Sequence, residues 1–124
     1  MTYLISFLVG FIALQHLGFL VLEMFLWTKP LGLKVFKLDP DFAKQTAALA
    51  SNQGLYNGFL AAGLFWSLLC PDVDMSFFLK VFFLSCVLIA GLFGWWSISK
   101  TVLYVQALPA FFTLSIVLVH RFLM

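Results

Sequence analysis

Seven side chains stand out as able to do chemistry, because each is a polar group in or beside a long apolar run: His16, Glu23, Asn52, Gln53, Tyr56, Asn57 and Gln106. His16 and Glu23 are seven positions apart, two helical turns, so they share a face about 10 Å apart along the axis. Gln15 lies about 100° round from that face. An ionisable group inside a membrane-spanning helix is costly and by default a candidate functional group. Glu23 with His16 is therefore a candidate acid/base pair. The amides of Asn52, Gln53, Asn57 and Gln106 and the phenol of Tyr56 are candidates for orienting the polar head of a ligand by hydrogen bonding. Burying an amide without partners costs about 2–7 kcal/mol. The stretch Asn52-Gln53-Gly54-Leu55-Tyr56-Asn57-Gly58 thus requires partners in protein, water or ligand. Ordinary alternatives stand beside this reading. Glu23 could pair with a loop lysine or reach the interface, His16 could make a single structural hydrogen bond, and the amides could join helices.

The elements that must position these groups follow from composition. The chain has 124 residues, 64% hydrophobic and 10% charged, with a mean hydropathy of +1.09. A soluble domain of this size could not hide so much apolar surface. One span takes about 20 residues, so the expected fold is all-α, a four-helix transmembrane bundle forming a single domain over residues 1–124. A net charge of +2 does not point to nucleic acid. Cys70 and Cys86 fit no metal or redox spacing and read as small hydrophobes. There is no Gly-rich phosphate loop, HExxH or nucleophile elbow, and neither metal nor cofactor is expected. The first apolar run lacks a positively charged leader and a small-residue cleavage site, so it reads as a retained helix.

In chain order, the first span is expected over residues 3–27, with Trp27 as an interface aromatic beneath Glu23. Residues 28–39 read as a basic connection in which Pro30 and Gly32 argue against a continuous helix. Asp39-Pro40-Asp41 is a helix start: a cap, a proline at the first helical position and an acid at the positive end of the dipole. One long helix, Pro40–Leu69, is expected, with Gly54, Gly58 and Ala62 as a ridge of small residues for close helix approach. Gln53 and Asn57 share one face, Asn52 and Tyr56 the next. After an acidic turn at 71–74, the third span reads as residues 76–96, with Gly91 and Gly94 allowing close packing and Trp95 and Trp96 as interface anchors. The fourth reads as residues 101–121. There Pro109 is expected to kink the helix and leave the Val105 carbonyl without its usual partner.

Lys29, Lys34, Lys37, Lys44 and Lys100 fall on one side of this arrangement, and Lys80 and Arg121 on the other. The excess of positive charge places the first side in the cytoplasm. Both termini then lie outside, on the periplasmic face of an inner membrane. By depth, Glu23, Asn52, Gln53, Asn57 and Gln106 all fall in the cytoplasmic half, with His16 near the midplane. The expectation is one cavity, open to the cytoplasm and lidded by residues 28–50. Glu23, Asn57 and Gln106 converge on it, His16 forms the floor, and Tyr56 or Asn52 lines the wall.

These residues also carry a resemblance. His16 followed by Glu23-Met24-Phe25-Leu26-Trp27, then Asn52-Gln53-Gly54-Leu55-Tyr56-Asn57-Gly58-Phe59-Leu60, then Gln106 before Pro109, resemble a group of small bacterial and fungal integral membrane proteins known only as a domain of unknown function. The resemblance covers nearly the whole chain. It implies a four-helix membrane protein and supplies no reaction. In arrangement alone, with no shared motif, the chain is also similar to the four-helix sterol isomerase and emopamil-binding type, which place acidic and His or Asn side chains in a membrane pocket.

The expected function is binding of a small lipophilic molecule in a polar intramembrane pocket, extended in one form of the reading to its conversion by isomerisation or epoxide opening. Neither reaction needs a cofactor. One alternative is a small transporter, since a lone membrane Glu in the first of four helices is similar to small multidrug exporters, although Glu23 lies near one end of its span. The other is a structural or partner-binding subunit with the amides as glue. The expected partners are the lipid bilayer, a small lipophilic ligand and a second copy of the chain.

Overall fold

Asp39 begins the longest helix by a local exchange of hydrogen bonds. Its Oδ2 accepts from the backbone N–H of Asp41 at 3.1 Å and of Phe42 at 3.3 Å, satisfying donors that have no partner within the helix. Pro40 follows at the first helical position, where its missing N–H costs nothing. The computed structural model describes residues 1–124. It is all-helical, with α1 (Thr2–Met24), α2 (Pro30–Phe36), α3 (Pro40–Leu69), α4 (Val73–Ser97) and α5 (Lys100–Leu123). The bounds of α3 are those expected from its start and stop signals.

Three of these helices, α1, α4 and α5, are long and apolar enough to cross a membrane. α3 has the length, at 30 residues, but its amides and its charged first turns dilute it. The exteriors of the apolar helices are themselves apolar. On α1, Tyr3, Phe7, Phe11 and Leu14 form an exposed stripe, while Ile5, Val9, Ile12 and Ala13 are buried. On α4, Phe78, Phe82, Ile89 and Phe93 are exposed and Leu84 and Val87 are buried. A soluble protein does not leave so large an apolar surface bare.

The chain divides into two compact units, Leu14–Ala61 and Met1–Ala13 with Ala62–Met124. The boundaries fall within α1 and within α3. In the larger unit, α4 packs along α5. A Cβ on Gly91 would lie 2.8 Å from the Ala107 backbone nitrogen and 2.9 Å from its Cα, so only glycine allows this approach. α4 is capped by Asp72, which accepts from the N–H of Met75 at 2.7 Å. At this same end of α4 Arg121 Nη2 donates to Asp74 Oδ1 at 2.5 Å, and its guanidinium lies 5.0 Å from the centre of the Phe77 ring.

Pro109 acts differently from the expectation. α5 is α-helical over Lys100–Val102, makes one π turn at Leu103–Ala107, and is α-helical again from Leu108. The Leu108 N–H reaches back five residues to the Leu103 carbonyl. The wider turn absorbs the proline ring and its missing donor, and Val105 is not left without a partner.

In the unit Leu14–Ala61, the connection departs from a plain loop. α1 stops at Met24, so Trp27 lies off the helix rather than beneath Glu23. Pro30 serves as the first residue of α2. Gly32 is required there, because any Cβ would collide with the Leu26 carbonyl oxygen, 1.9 Å away. Lys37 closes α2 in the left-handed region (φ 54°, ψ 50°), and the Leu38 N–H bonds the Leu33 carbonyl at 2.9 Å, a glycine-type helix stop made by a lysine. Trp27 packs against Phe36 with ring centres 4.9 Å apart and ring planes tilted by 46°, and donates its indole N–H to Thr46 Oγ1 at 3.0 Å. These contacts fasten the connection to the first turns of α3.

Candidate functional site

The inward stripe of α3 within this unit is Ala43, Ala50, Gly54, Asn57 and Ala61, all buried. Its spacing of four and three residues is one helix face. The expected ridge of Gly54, Gly58 and Ala62 is therefore rotated: Gly54 and Gly58 take part, but Ala62 is exposed. The ridge serves the end of α1. A Cβ on Gly54 would lie 2.7 Å from Met24 Cγ, 3.1 Å from Glu23 Cβ and 3.2 Å from the Leu20 carbonyl oxygen, and one on Gly58 would lie 2.7 Å from Leu20 Cδ1. Small residues let the two helices meet nearly backbone to backbone.

That approach sets the central contact. Asn57, only 7% exposed, donates from Nδ2 to Glu23 Oε1 at 2.5 Å. The half-buried carboxyl is thus paired with an amide rather than with a lysine of the connection. His16 lies two turns back along α1 and is fully buried, 0% exposed, with its ring edge-on to Phe19 at 5.2 Å. Neither His16 nor Gln15 is without a partner.

The remaining candidates do not join this contact by any hydrogen bond of their own. Asn52, Gln53 and Tyr56 are exposed, Tyr56 by 54%, and Tyr56 meets Phe59 edge-on at 5.7 Å. Gln53 and Asn57, one turn apart, fall on either side of the burial boundary. Gln106 belongs to the other unit, in the π turn of α5, and its Nε2 donates to the Val87 carbonyl at 3.1 Å. A π turn turns one carbonyl away from regular bonding, and an amide side chain that reaches a neighbouring helix holds such a turn in place.

Sequence reasoning passed over two polar clusters. Lys80 was counted only as a topology charge, yet its ammonium donates to the Ser67 carbonyl at 3.2 Å and to Ser76 Oγ, and Ser76 Oγ also donates to that carbonyl at 2.6 Å. Ser67 lies in the last turn of α3, where carbonyls lack intrahelical partners. Lys80 and Ser76 thus cap α3. The signal was present in the four-residue spacing of Ser76 and Lys80, which puts both on one helix face. The Trp27–Thr46 contact left no such signal, since it depends on how the connection folds.

Chemically, the Glu23–Asn57 pair is a carboxyl group oriented by an amide. It can accept or release a proton and can hold a polar donor. No three His, Cys, Asp or Glu side chains gather as metal ligands would.

All-helical architecture and three helices long and apolar enough to cross a membrane mark a helical membrane protein. The chain belongs to the family described as protein of unknown function DUF1304, whose model matches residues 10–118. No curated protein and no solved structure matches it.

Proposed function

We propose that this protein crosses an inner membrane four times as a helical bundle, with both termini outside the cytoplasm. We propose further that it binds a small lipophilic molecule through the carboxyl group of Glu23. The observation that carries this reading is the hydrogen bond from Asn57 to Glu23, 2.5 Å long and on the buried face of α3. A carboxyl group accepts up to about four hydrogen bonds. Asn57 uses one and fixes the group's orientation, so capacity is left for the hydroxyl or amine of a ligand. His16, on the same face of α1, supplies a second ionisable group, and isomerisation or epoxide opening fits such a pair. Asn52, Gln53 and Tyr56, exposed on α3 beside this pair, are proposed to contact the ligand's polar head from the edge of the site. For α3 to cross as the fourth span, its deepest amide must be satisfied inside the protein, and Glu23 supplies that partner.

A second reading, a structural subunit in which the pair fastens helices, is favoured by one observation. Gly54 and Gly58 bring α3 directly onto Leu20, Glu23 and Met24, as a helix-joining motif does. Mass spectrometry of organic extracts from the purified protein separates the two. The binding reading predicts a small molecule retained by the wild type and lost from Glu23→Gln while the melting temperature stays nearly unchanged. Identical extracts accompanied by a large loss of stability would establish the fastener instead.

A further inference from the structure

Two open recesses lie end to end between α4 and α5. One, of about 410 Å³, is bounded by Trp95, Trp96, Ser99 and Lys100. The other, of about 430 Å³, is bounded by Leu88, Leu92, Leu103, Ala107, Leu108 and Phe111 and has a wholly apolar lining. On α4 the positions 88, 92 and 95 are spaced by four and three, one helix face, and Ser99 follows just past the end of α4 as the residue before α5. On α5 the positions 100, 103, 107 and 111 continue the band through the π turn. The two recesses are thus one groove with a basic, aromatic mouth and a hydrocarbon floor.

We propose that this groove seats an anionic membrane phospholipid, with its phosphate at Lys100 and Ser99 and one acyl chain along the apolar floor. Three features argue for this occupant. The first is charge. Lys100 stands at the first helical position of α5, where the dipole is positive and a cation is disfavoured. Ser99 provides no side-chain cap there, and an anion at the mouth satisfies both groups. The second is length. From Lys100 to Phe111 is eleven residues, about 16 Å of helix, which matches half of a hydrocarbon core about 30 Å thick. One acyl chain of one leaflet fills it. The third is the pair of tryptophans at the mouth, whose amphipathic rings favour headgroup depth. The groove owes its floor to the π turn, which sets Leu103, Ala107 and Phe111 in line. The proposal is independent of the Glu23 site.

The test uses the full chain, purified in detergent and offered equal amounts of palmitoyl-oleoyl phosphatidylglycerol and phosphatidylcholine, with adducts counted by native mass spectrometry. Phosphatidylglycerol is expected to be retained about fivefold over phosphatidylcholine, the effect of one lysine near an anionic lipid. Lys100→Gln should abolish the preference and Lys100→Arg should keep it. Leu92→Trp, at an exposed position on the groove floor, should reduce adducts of both lipids. Equal retention of the two lipids by the wild type overturns the proposal, as does an unchanged preference in Lys100→Gln. A dimer split by Leu92→Trp with adducts unaltered overturns it in favour of a second copy of the chain in the groove.

Discussion

Asn57 donates to Glu23 across 34 positions of sequence, at 2.5 Å, and so ties the end of α1 to the middle of α3. Removing the partner of a buried polar group costs about 1–3 kcal/mol. Asn57→Ala should therefore lower stability by about that amount, and Glu23→Gln, which keeps an acceptor and the shape of the side chain, by under about 1 kcal/mol. Melting curves of the two variants in detergent check the order. Equal losses would show that the bond needs the carboxyl group itself and not merely an acceptor of its shape.

Two glycines of the same unit should respond in opposite directions. Gly54→Ala forces a methyl group to within 3.1 Å of Glu23 Cβ and 2.7 Å of Met24 Cγ, an overpacking that costs about 1–3 kcal/mol. Gly18 lies mid-helix in α1 with nothing within 4 Å of where a Cβ would stand. Gly18→Ala should raise stability by about 0.5–1 kcal/mol through helix propensity. The same melting experiment reads both.

Lys37 holds a left-handed conformation, φ 54°, at the end of α2. That conformation costs a side-chain-bearing residue about 1–2 kcal/mol and glycine little. Lys37→Gly should stabilise the connection by about 1 kcal/mol, seen as slower amide exchange over Pro30–Phe36.

Trp27 and Thr46 form the side-chain bond that fastens the connection to α3. In a double-mutant cycle of Trp27→Phe and Thr46→Val, the coupling should be about 0.5–1.5 kcal/mol. Zero coupling would show that the packing on Phe36 alone positions the indole.

What the sequence made legible was local. Asp39-Pro40-Asp41 marks the start of α3 because a cap acts within three residues, whereas the turn expected at 71–74 is shorter, since Asp72 caps α4 and the helix begins at Val73. The face that α3 buries was harder. Gln53 and Asn57 differ by about 40° on the helix, and only the close packing of Gly54 on Glu23 decides that Asn57 turns inward. Gly32 reads as a helix breaker until the Leu26 carbonyl is seen to fill the space of its missing side chain. Pro109 announced an irregularity, but the form it took, a π turn held by Gln106 on Val87, depends on α4. Lys80 looked like a surface charge because its partner, the Ser67 carbonyl, is backbone and leaves no trace in composition.

The central claim is that α3 crosses the membrane despite its amides, because the deepest of them is satisfied by Glu23. Cysteine accessibility on the two sides of α3 tests it most directly. In a background with Cys70 and Cys86 replaced by alanine, single substitutions Lys34→Cys and Val73→Cys are treated in intact cells with a membrane-impermeant maleimide. Val73→Cys should label from outside and Lys34→Cys should label only after the cells are opened. Labelling of both positions from the same side would contradict the account.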